Sequence, residues 1–514
     1  MLFNSLVRLG GDYVSFDGLP SIVMLSVGFI VVALSCLFFY IRNIKKIISV
    51  IRPEHSFTDK SEAPEIIIIG SGVLGSSIAT VLAKDGRRVT VIERDMKQPD
   101  RIVGELLQPG GVKALIKLGL GECLEGLDSH PIKGYVIHDL ETEAKVTVPY
   151  PKDQDTDEII QGRAFHHGRF IMALRKKAQE QENVTYIEAT ASKLIEDKGV
   201  IVGVQYREKM SESAKEIYAP LTIVVDGCFS KFRKQLVKEK VEIYSHFVGT
   251  LMVDCPQTLL NHAELILAKP SPVLIYQISS KDTRVLVDVR GTVEGNMREY
   301  MLHQIAPQLP DHIKEPFIDG VIDGRLRTMP NSFLPPSPIE KPGVLVIGDA
   351  LNMRHPLTGG GMSVALNDAV MWRNLLKSIP DLTNYEALIK ASRVFQLRRK
   401  HNHSFVVNVL AQALYELFAA SDVHLHNLKR ACFEYFKLGG ECVSGPVGLL
   451  SVMTPKPHLL IGHFFAVALY AVLSVFRSEP IWALHRVVYR SFMIFYKACG
   501  VIFPLMWSEL KGLI

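Results

Sequence analysis

The run Ile66-Ile67-Ile68-Ile69-Gly70-Ser71-Gly72-Val73-Leu74-Gly75 constrains this chain more than any other stretch. Four β-branched residues read as a buried strand, and Gly-x-Gly-x-x-Gly then opens a helical pattern over Ser76 to Lys84. A second strand pattern, Arg88 to Ile92, ends in Glu93, at the spacing of about 20 residues that a ribose-binding acid takes. A lone glycine triplet is weak. Set between a strand and a helix, with an acid closing the next strand, it describes a βαβ unit that holds a dinucleotide. Gly70 permits the tight turn, Gly72 lets a pyrophosphate approach, and Gly75 lets helix and strand pack closely. The backbone of Val73 and Leu74 meets the phosphates at the helix start, Glu93 takes a ribose hydroxyl, and Arg94 flanks the adenosine.

A second glycine-rich segment lies far downstream. A strand-like run, Gly343 to Ile347, leads into Asp349; Pro356 and Gly359, Gly360 and Gly361 follow, and a helical pattern starts at Met362. Alone this is an ordinary glycine-rich turn. Paired with the first site it suggests one ligand threaded between two helix starts, with Asp349 accepting from a sugar hydroxyl and the Gly361–Met362 backbone closing the site. Between them, the strand-like Ile223 to Val225 runs into Asp226-Gly227-Cys228-Phe229-Ser230-Lys231-Phe232-Arg233, an Asp-Gly-x-x-Ser-x-x-Arg pattern.

In order, spacing and strand context these three motifs resemble the FAD-dependent aromatic-hydroxylase-like monooxygenases. Asp100 to Gly111, Gly162 to Phe170 and Asn352 to Met362 carry a closer resemblance, to the squalene monooxygenases (squalene epoxidases). It runs from about Pro64 to the C-terminus. Aromatic hydroxylases usually carry His where this chain has Asn352, a departure that points toward the squalene enzymes. The resemblance implies an α/β fold: a Rossmann-type FAD-binding domain, an inserted β-sheet substrate domain, and C-terminal membrane-associated helices. It implies FAD as cofactor, with Arg101, Leu106 and Ala191 in contact with it and Arg175 offsetting pyrophosphate charge. It implies that Tyr135 and Gln108 shape the active site; Tyr135 by itself also reads as a strand tyrosine. Pro356 and Leu357 face the reacting alkene. Phe433 and Phe436, with Tyr435, line an apolar tunnel or, equally, pack a core.

The implied reaction epoxidises squalene to (S)-2,3-oxidosqualene with O2, in sterol synthesis. Flavin carries the hard chemistry, and the protein contributes placement and exclusion of water. No Gly-x-Ser-x-Gly or His-Glu-x-x-His argues for a nucleophilic or metal-assisted route. No second Gly-x-Gly-x-x-Gly marks a nicotinamide site, so by resemblance electrons come from a separate NADPH-dependent flavoprotein reductase. Two rival readings are a flavin-dependent prenyl-chain reductase, separable by oxygen consumption, and a non-catalytic scaffold that retains FAD.

Composition narrows the classes further. A net charge of +5 with scattered basic residues argues against nucleic acid as partner. Seven widely spaced cysteines, odd in number and without Cys-x-x-Cys, argue against a disulfide framework or a metal site. Hydrophobic content of 48% is high for a soluble enzyme, and its excess is concentrated. Ile22 to Ile41 is almost continuously apolar, long enough to cross a hydrocarbon core of roughly 30 Å. Arg42, Lys45, Lys46 and Arg52 follow, which favours a cytosolic main body. Whether this segment spans or re-enters stays open, as it does for the apolar stretches His458 to Phe476 and Ile481 to Leu505. The expected location is the endoplasmic reticulum membrane, with the catalytic domain facing the cytosol. Expected divisions are 1–55 (membrane segment and basic flank), 56–240 (first FAD-binding part), 241–325 (substrate sheet), 326–385 (second FAD-binding part) and 386–514 (helical, membrane-associated).

Overall fold

The computed structural model describes residues 53–55, 57, 63–141, 143–209, 211, 213–291, 295–418 and 422–511. The apolar segment expected at 22–41 lies outside the described residues.

Ile66–Ile69 is a strand, each residue at most 4% exposed. Unbroken β-branched runs of this kind suit a parallel sheet covered on both faces. The sheet has seven strands, in the order Lys215–Tyr218, Val200–Glu208, Val184–Asp197, Val89–Glu93, Ile66–Ile69, Leu221–Val224 and Val344–Val346. The five from Val184–Asp197 onward are parallel. Ile66 and Ile68 face the core that contains helices Val73–Lys84, His167–Gln179 and Gly361–Lys377. Ile67 and Ile69 face the opposite core, with Ala189, Ala191, Leu334 and Met353. Ile66–Ile69 pairs with Val89–Glu93 on one side and Leu221–Val224 on the other. Chain order therefore reverses at this strand, and a ligand crevice opens at such a switch point, beyond the carboxyl ends of the strands.

A second seven-stranded sheet has the order Arg327–Phe333, Glu242–Val253, Asp282–Val289, Val273–Gln277, His262–Ile266, Gly134–Asp139 and Ala144–Pro149. It includes the strands expected near 272–276 and 285–289. It also recruits 134–149 and 327–333, so the sheet is wider than the expected 241–325 block. The hairpin 134–149 reaches it through the parallel pairing of Tyr135 with Ala263, a contact between residues distant in sequence.

After Lys377 the described chain is helical. Pro457–Ser478 and Leu484–Leu510 are each long and apolar enough to cross a membrane by length and composition. They pack on each other and on Val423–Lys437; Tyr489 and Phe492 of the second, and Trp482 between the two, are exposed. An apolar face of this size suits contact with a membrane.

Candidate active site

The switch point brings most of the expected residues to one cavity of about 620 Å³, within the range of small-molecule sites. The strand ends supply Gly70, Glu93, Asp226 and Asp349, and Val184–Asp197 adds Ala191. Gly70 has φ +105°, and a side chain there would meet the Val225 carbonyl at 2.7 Å. A Cβ on Gly75 would sit 2.0 Å from the Gly70 carbonyl oxygen. Gly72 and Gly361 differ: each lines the cavity, and a Cβ on either meets nothing within 4 Å. Helix Val73–Lys84 starts on Gly72 with no side-chain cap, leaving its first amides directed at that space. These features form a cradle of backbone amides suited to an anionic group.

Charged groups hold the rim. Glu93 Oε2 accepts from the Ser71 amide at 2.6 Å, and Arg175 Nη2 lies 3.7 Å from the same oxygen. Arg175 is buried; its Nε donates to Ser71 O at 2.9 Å and its Nη1 to Lys97 O at 3.1 Å. It thus ties the glycine loop to the segment carrying Arg94 and Arg101, which also line the cavity. Arg233 was not expected at the site. Its guanidinium donates to Gly227 O at 3.1 Å, Asp349 O at 2.8 Å and Ala350 O at 3.0 Å, joining the Asp-Gly and Gly-Asp loops. Burial lowers its pKa below the ordinary arginine value, and the nearby charges of Asp226 and Asp349 work against that shift.

The inner end is apolar. Leu106, Leu274, Leu286, Met329, Pro356 and Leu357 line it, together with Tyr135. Gln108 lies one layer back, fully buried and outside the lining. Its Nε2 donates to Tyr135 Oη and to Thr358 O, both at 2.7 Å. Its Oε1 accepts from Tyr150 at 2.5 Å. Since Thr358 O only accepts, it fixes which way the amide faces. Tyr135 Oη is then an acceptor toward Gln108 and keeps its own proton for another partner. Burial raises the Tyr135 pKa, so the phenol stays protonated at neutral pH. Tyr150 completes the device and escaped sequence reasoning, because only folding brings its strand end against Gln108.

The squalene epoxidase family model matches residues 218–489. A squalene monooxygenase of Mus musculus is 59% identical over 452 residues, which cover 88% of this chain and 79% of that protein. A squalene epoxidase of Schizosaccharomyces pombe is 41% identical over 455 residues, covering 87% and 99%. The chain belongs to the squalene epoxidase family. Among solved structures, the p-nitrophenol 4-monooxygenase of Pseudomonas putida aligns with TM-score 0.61 at 14% identity, over 77% of this chain and 99% of that one. A flavin-dependent brominase aligns at 0.59 and 14% identity, over 79% and 99%. That likeness shows the fold alone.

In this squalene epoxidase family member the aromatic pair of the C-terminal helices stands elsewhere than the lining. Phe433 is buried, and Phe436 packs against the same core cluster as Tyr415 and Phe418; neither borders the cavity. Helix Val423–Lys437 turns them inward as packing, the bland alternative for aromatics three residues apart. Gly75 likewise serves packing rather than lining. Among the described residues no cluster of His, Cys, Asp or Glu suits a metal, and the six described cysteines are free.

His167, at the start of helix His167–Gln179, lines the cavity. Its Nδ1 lies 2.7 Å from Gly104 O, so Nδ1 carries the proton and Nε2 is the site that titrates. Burial lowers its pKa from 6.5 to about 4. The unfolded chain therefore binds more protons between those values, and stability rises with pH across that window. We expect its share, about 3 kcal/mol at most, to be complete above pH 6.5 and lost as pH falls toward 4. Acidification from pH 6.5 toward 4 should lower the thermal midpoint of wild type more steeply than that of His167→Gln; parallel curves would remove His167 as the source.

Proposed function

We propose that this protein is a membrane-bound FAD monooxygenase that converts squalene, O2, two electrons and two protons into (S)-2,3-oxidosqualene and water. The observation carrying the proposal is the continuity of one cavity. It runs from the glycine cradle at Gly72 to an apolar end at Leu357 and Tyr135. Together with membership of the squalene epoxidase family, that continuity lets a dinucleotide flavin and a hydrocarbon chain meet in one chamber.

The Gly72 cradle and the amides of Val73 and Leu74 would hold the pyrophosphate, with Arg175 and Arg101 balancing its charge. Glu93 and Arg94 would take the adenosine ribose side, Ala191 the adenine, and Asp349 with the Gly361–Met362 backbone the ribityl chain and ring. Bound reduced FAD supplies activation of O2 and delivery of one oxygen atom to an alkene. The chain's own part is to orient and to keep water out. Leu106, Pro356 and Leu357 form an apolar wall against the alkene, and Tyr135, held by Gln108, presents a phenol at that end. Overall, squalene + O2 + NADPH + H⁺ gives oxidosqualene + H2O + NADP⁺. An NADPH-dependent flavoprotein reductase is the proposed electron donor. The proposed setting is the endoplasmic reticulum membrane with the site on the cytosolic side, the C-terminal helices providing the contact.

Purified protein given FAD, reductase, NADPH and squalene should yield a product heavier by one oxygen atom. Oxygen consumed without that product would defeat the proposal, and a product carrying added hydrogen would indicate a prenyl reductase. Tyr135→Phe sharpens the test. It deletes one hydroxyl and almost no volume, so FAD should remain bound. Loss of one oriented hydrogen bond of about 1.4 kcal/mol in the transition state slows turnover roughly tenfold. Tyr135→Leu, the packing control, should also release flavin. Undiminished turnover in Tyr135→Phe at saturating squalene would return this residue to the role of a strand tyrosine.

A further inference from the structure

The turn that carries Pro356 and Leu357 is anchored twice. Thr358 O is held by Gln108, as described. The other anchor is His355, 1% exposed and at the N-terminal side of the short helix Pro356–Thr358. Its Nδ1 accepts from the Leu357 amide at 3.2 Å, so Nδ1 is unprotonated and Nε2 bears the hydrogen. Nε2 is directed into the second sheet. It lies 3.2 Å from Ser245 Oγ and 3.4 Å from Asp288 Oδ1. Asp288 is itself buried and fully engaged: it accepts from Ser245, from Asn331 Nδ2 at 2.9 Å and from Tyr415 at 3.1 Å. The Tyr415 ring stacks on His355 with centroids 3.8 Å apart, and Arg290 Nε donates to its hydroxyl at 2.7 Å.

The protonation states agree with this wiring. Burial lowers the His355 pKa, which keeps the ring neutral. Burial alone would raise the Asp288 carboxyl, but hydrogen bonds from His355, Ser245 and Tyr415 offset it and hold it below the ordinary range. A neutral imidazole joining a backbone amide to a carboxylate is a fixed strut. Ser245, Asp288 and Asn331 stand on three adjacent strands of the second sheet, so the strut ends in a rigid platform.

We propose that His355, tethered through Asp288, is a positioning residue that sets where Pro356 and Leu357 stand against the reacting alkene. This rests on the activity proposed above. The turn belongs to the glycine-rich segment of the first sheet, whereas the platform belongs to the second sheet. The strut therefore fixes the cofactor side of the chamber relative to the substrate side. Its loss leaves the cradle at Gly72 untouched.

His355→Asn separates this from a local capping role. Asparagine keeps an acceptor for the Leu357 amide but falls short of the sheet. Asp288→Asn keeps the shape of the platform and removes its charge. In detergent-purified full-length protein, each variant should retain wild-type flavin content. Each should lose roughly tenfold in kcat while KM for squalene holds, the pattern of an interaction felt only in the transition state. The double variant should be no slower than either single one, because both cut the same strut. Tyr415→Phe, a gentler change, should move kcat in the same direction should either replacement fail to fold. Amide exchange in the peptide containing 355–361 should quicken in each variant, and this readout needs no turnover. Wild-type kcat in His355→Asn, additive losses in the double variant, or unchanged exchange would overturn the proposal. Flavin loss in step with activity would also overturn it, as the mark of a merely structural residue. Absence of epoxide from the wild type would defeat the activity assignment, and the exchange comparison would still decide the strut.

Discussion

Arg284→Met should destabilise the protein by about 3–5 kcal/mol, the cost of stranding one half of a buried ion pair. Arg284 Nε donates to Glu105 Oε2 at 2.7 Å and Nη2 donates to Oε1 at 3.0 Å, a bidentate geometry. The side chains are 6% and 1% exposed, so water cannot replace the missing partner. The pair also sits where two bodies of structure meet. Glu105 precedes the short strand Leu106–Leu107 beside the cavity, and Arg284 stands on Asp282–Val289 of the second sheet. Its removal should loosen Leu106 and depress flavin content along with the unfolding midpoint. Arg284→Met combined with Glu105→Leu should recover much of the loss, because two apolar residues leave no charge uncompensated. The comparison is made by thermal unfolding of all four proteins. A single variant within about 1 kcal/mol of wild type would mean that the pair contributes no more than a surface bridge does.

That ion pair also shows where sequence reading stops. The first βαβ unit was legible because its signals are local: β-branched strand, glycine spacing and terminal acid all fall within one stretch, and the fold adds only the parallel neighbours. The expected helix start at Ser76 came late because the glycines themselves begin the helix, at Val73. Asp349, Leu357 and Met362, singled out by motif resemblance, line the cavity. Arg284 carries no such signal. A charged residue inside a strand pattern reads as an outward-facing position until its partner is known, and Glu105 lies far away in sequence. Tyr150 was missed for the same reason, because its partner Gln108 meets it only through the fold; Arg233 was read only as the last residue of the Asp-Gly motif, and its bonds to the Asp349 and Ala350 carbonyls come only with folding. The hairpin 134–149 was assigned to the first domain by sequence continuity, while hydrogen bonding gives it to the second sheet. Phe433 and Phe436 show the converse limit. Aromatics at helical spacing mark an inward face, and that face was packing rather than lining.

The remaining large effect separates two glycines of one motif. Gly75→Ala inserts a methyl group 2.0 Å from the Gly70 carbonyl oxygen and 3.1 Å from Val225 Cγ2. Backbone cannot yield there without moving the helix away from its strand, an overpacking cost of about 1–3 kcal/mol. The protein stripped of flavin should therefore melt earlier, and its cradle should be displaced as well. Gly72→Ala places the same methyl group in open cavity, with nothing within 4 Å. Gly72 is the N-cap, where alanine is modestly less favourable than glycine, so the stripped protein should melt only slightly earlier than wild type and well above Gly75→Ala. What it should lose is the cofactor, because the methyl group occupies the approach of the pyrophosphate to the Val73 and Leu74 amides. A clash on the scale of about 1–3 kcal/mol weakens FAD binding roughly 5- to 150-fold. Melting of the flavin-free proteins and titration with FAD together give the two signatures: unstable and weak-binding for Gly75→Ala, stable and weak-binding for Gly72→Ala. Wild-type affinity in Gly72→Ala would move the pyrophosphate away from this glycine and break the link between the cradle and the cofactor.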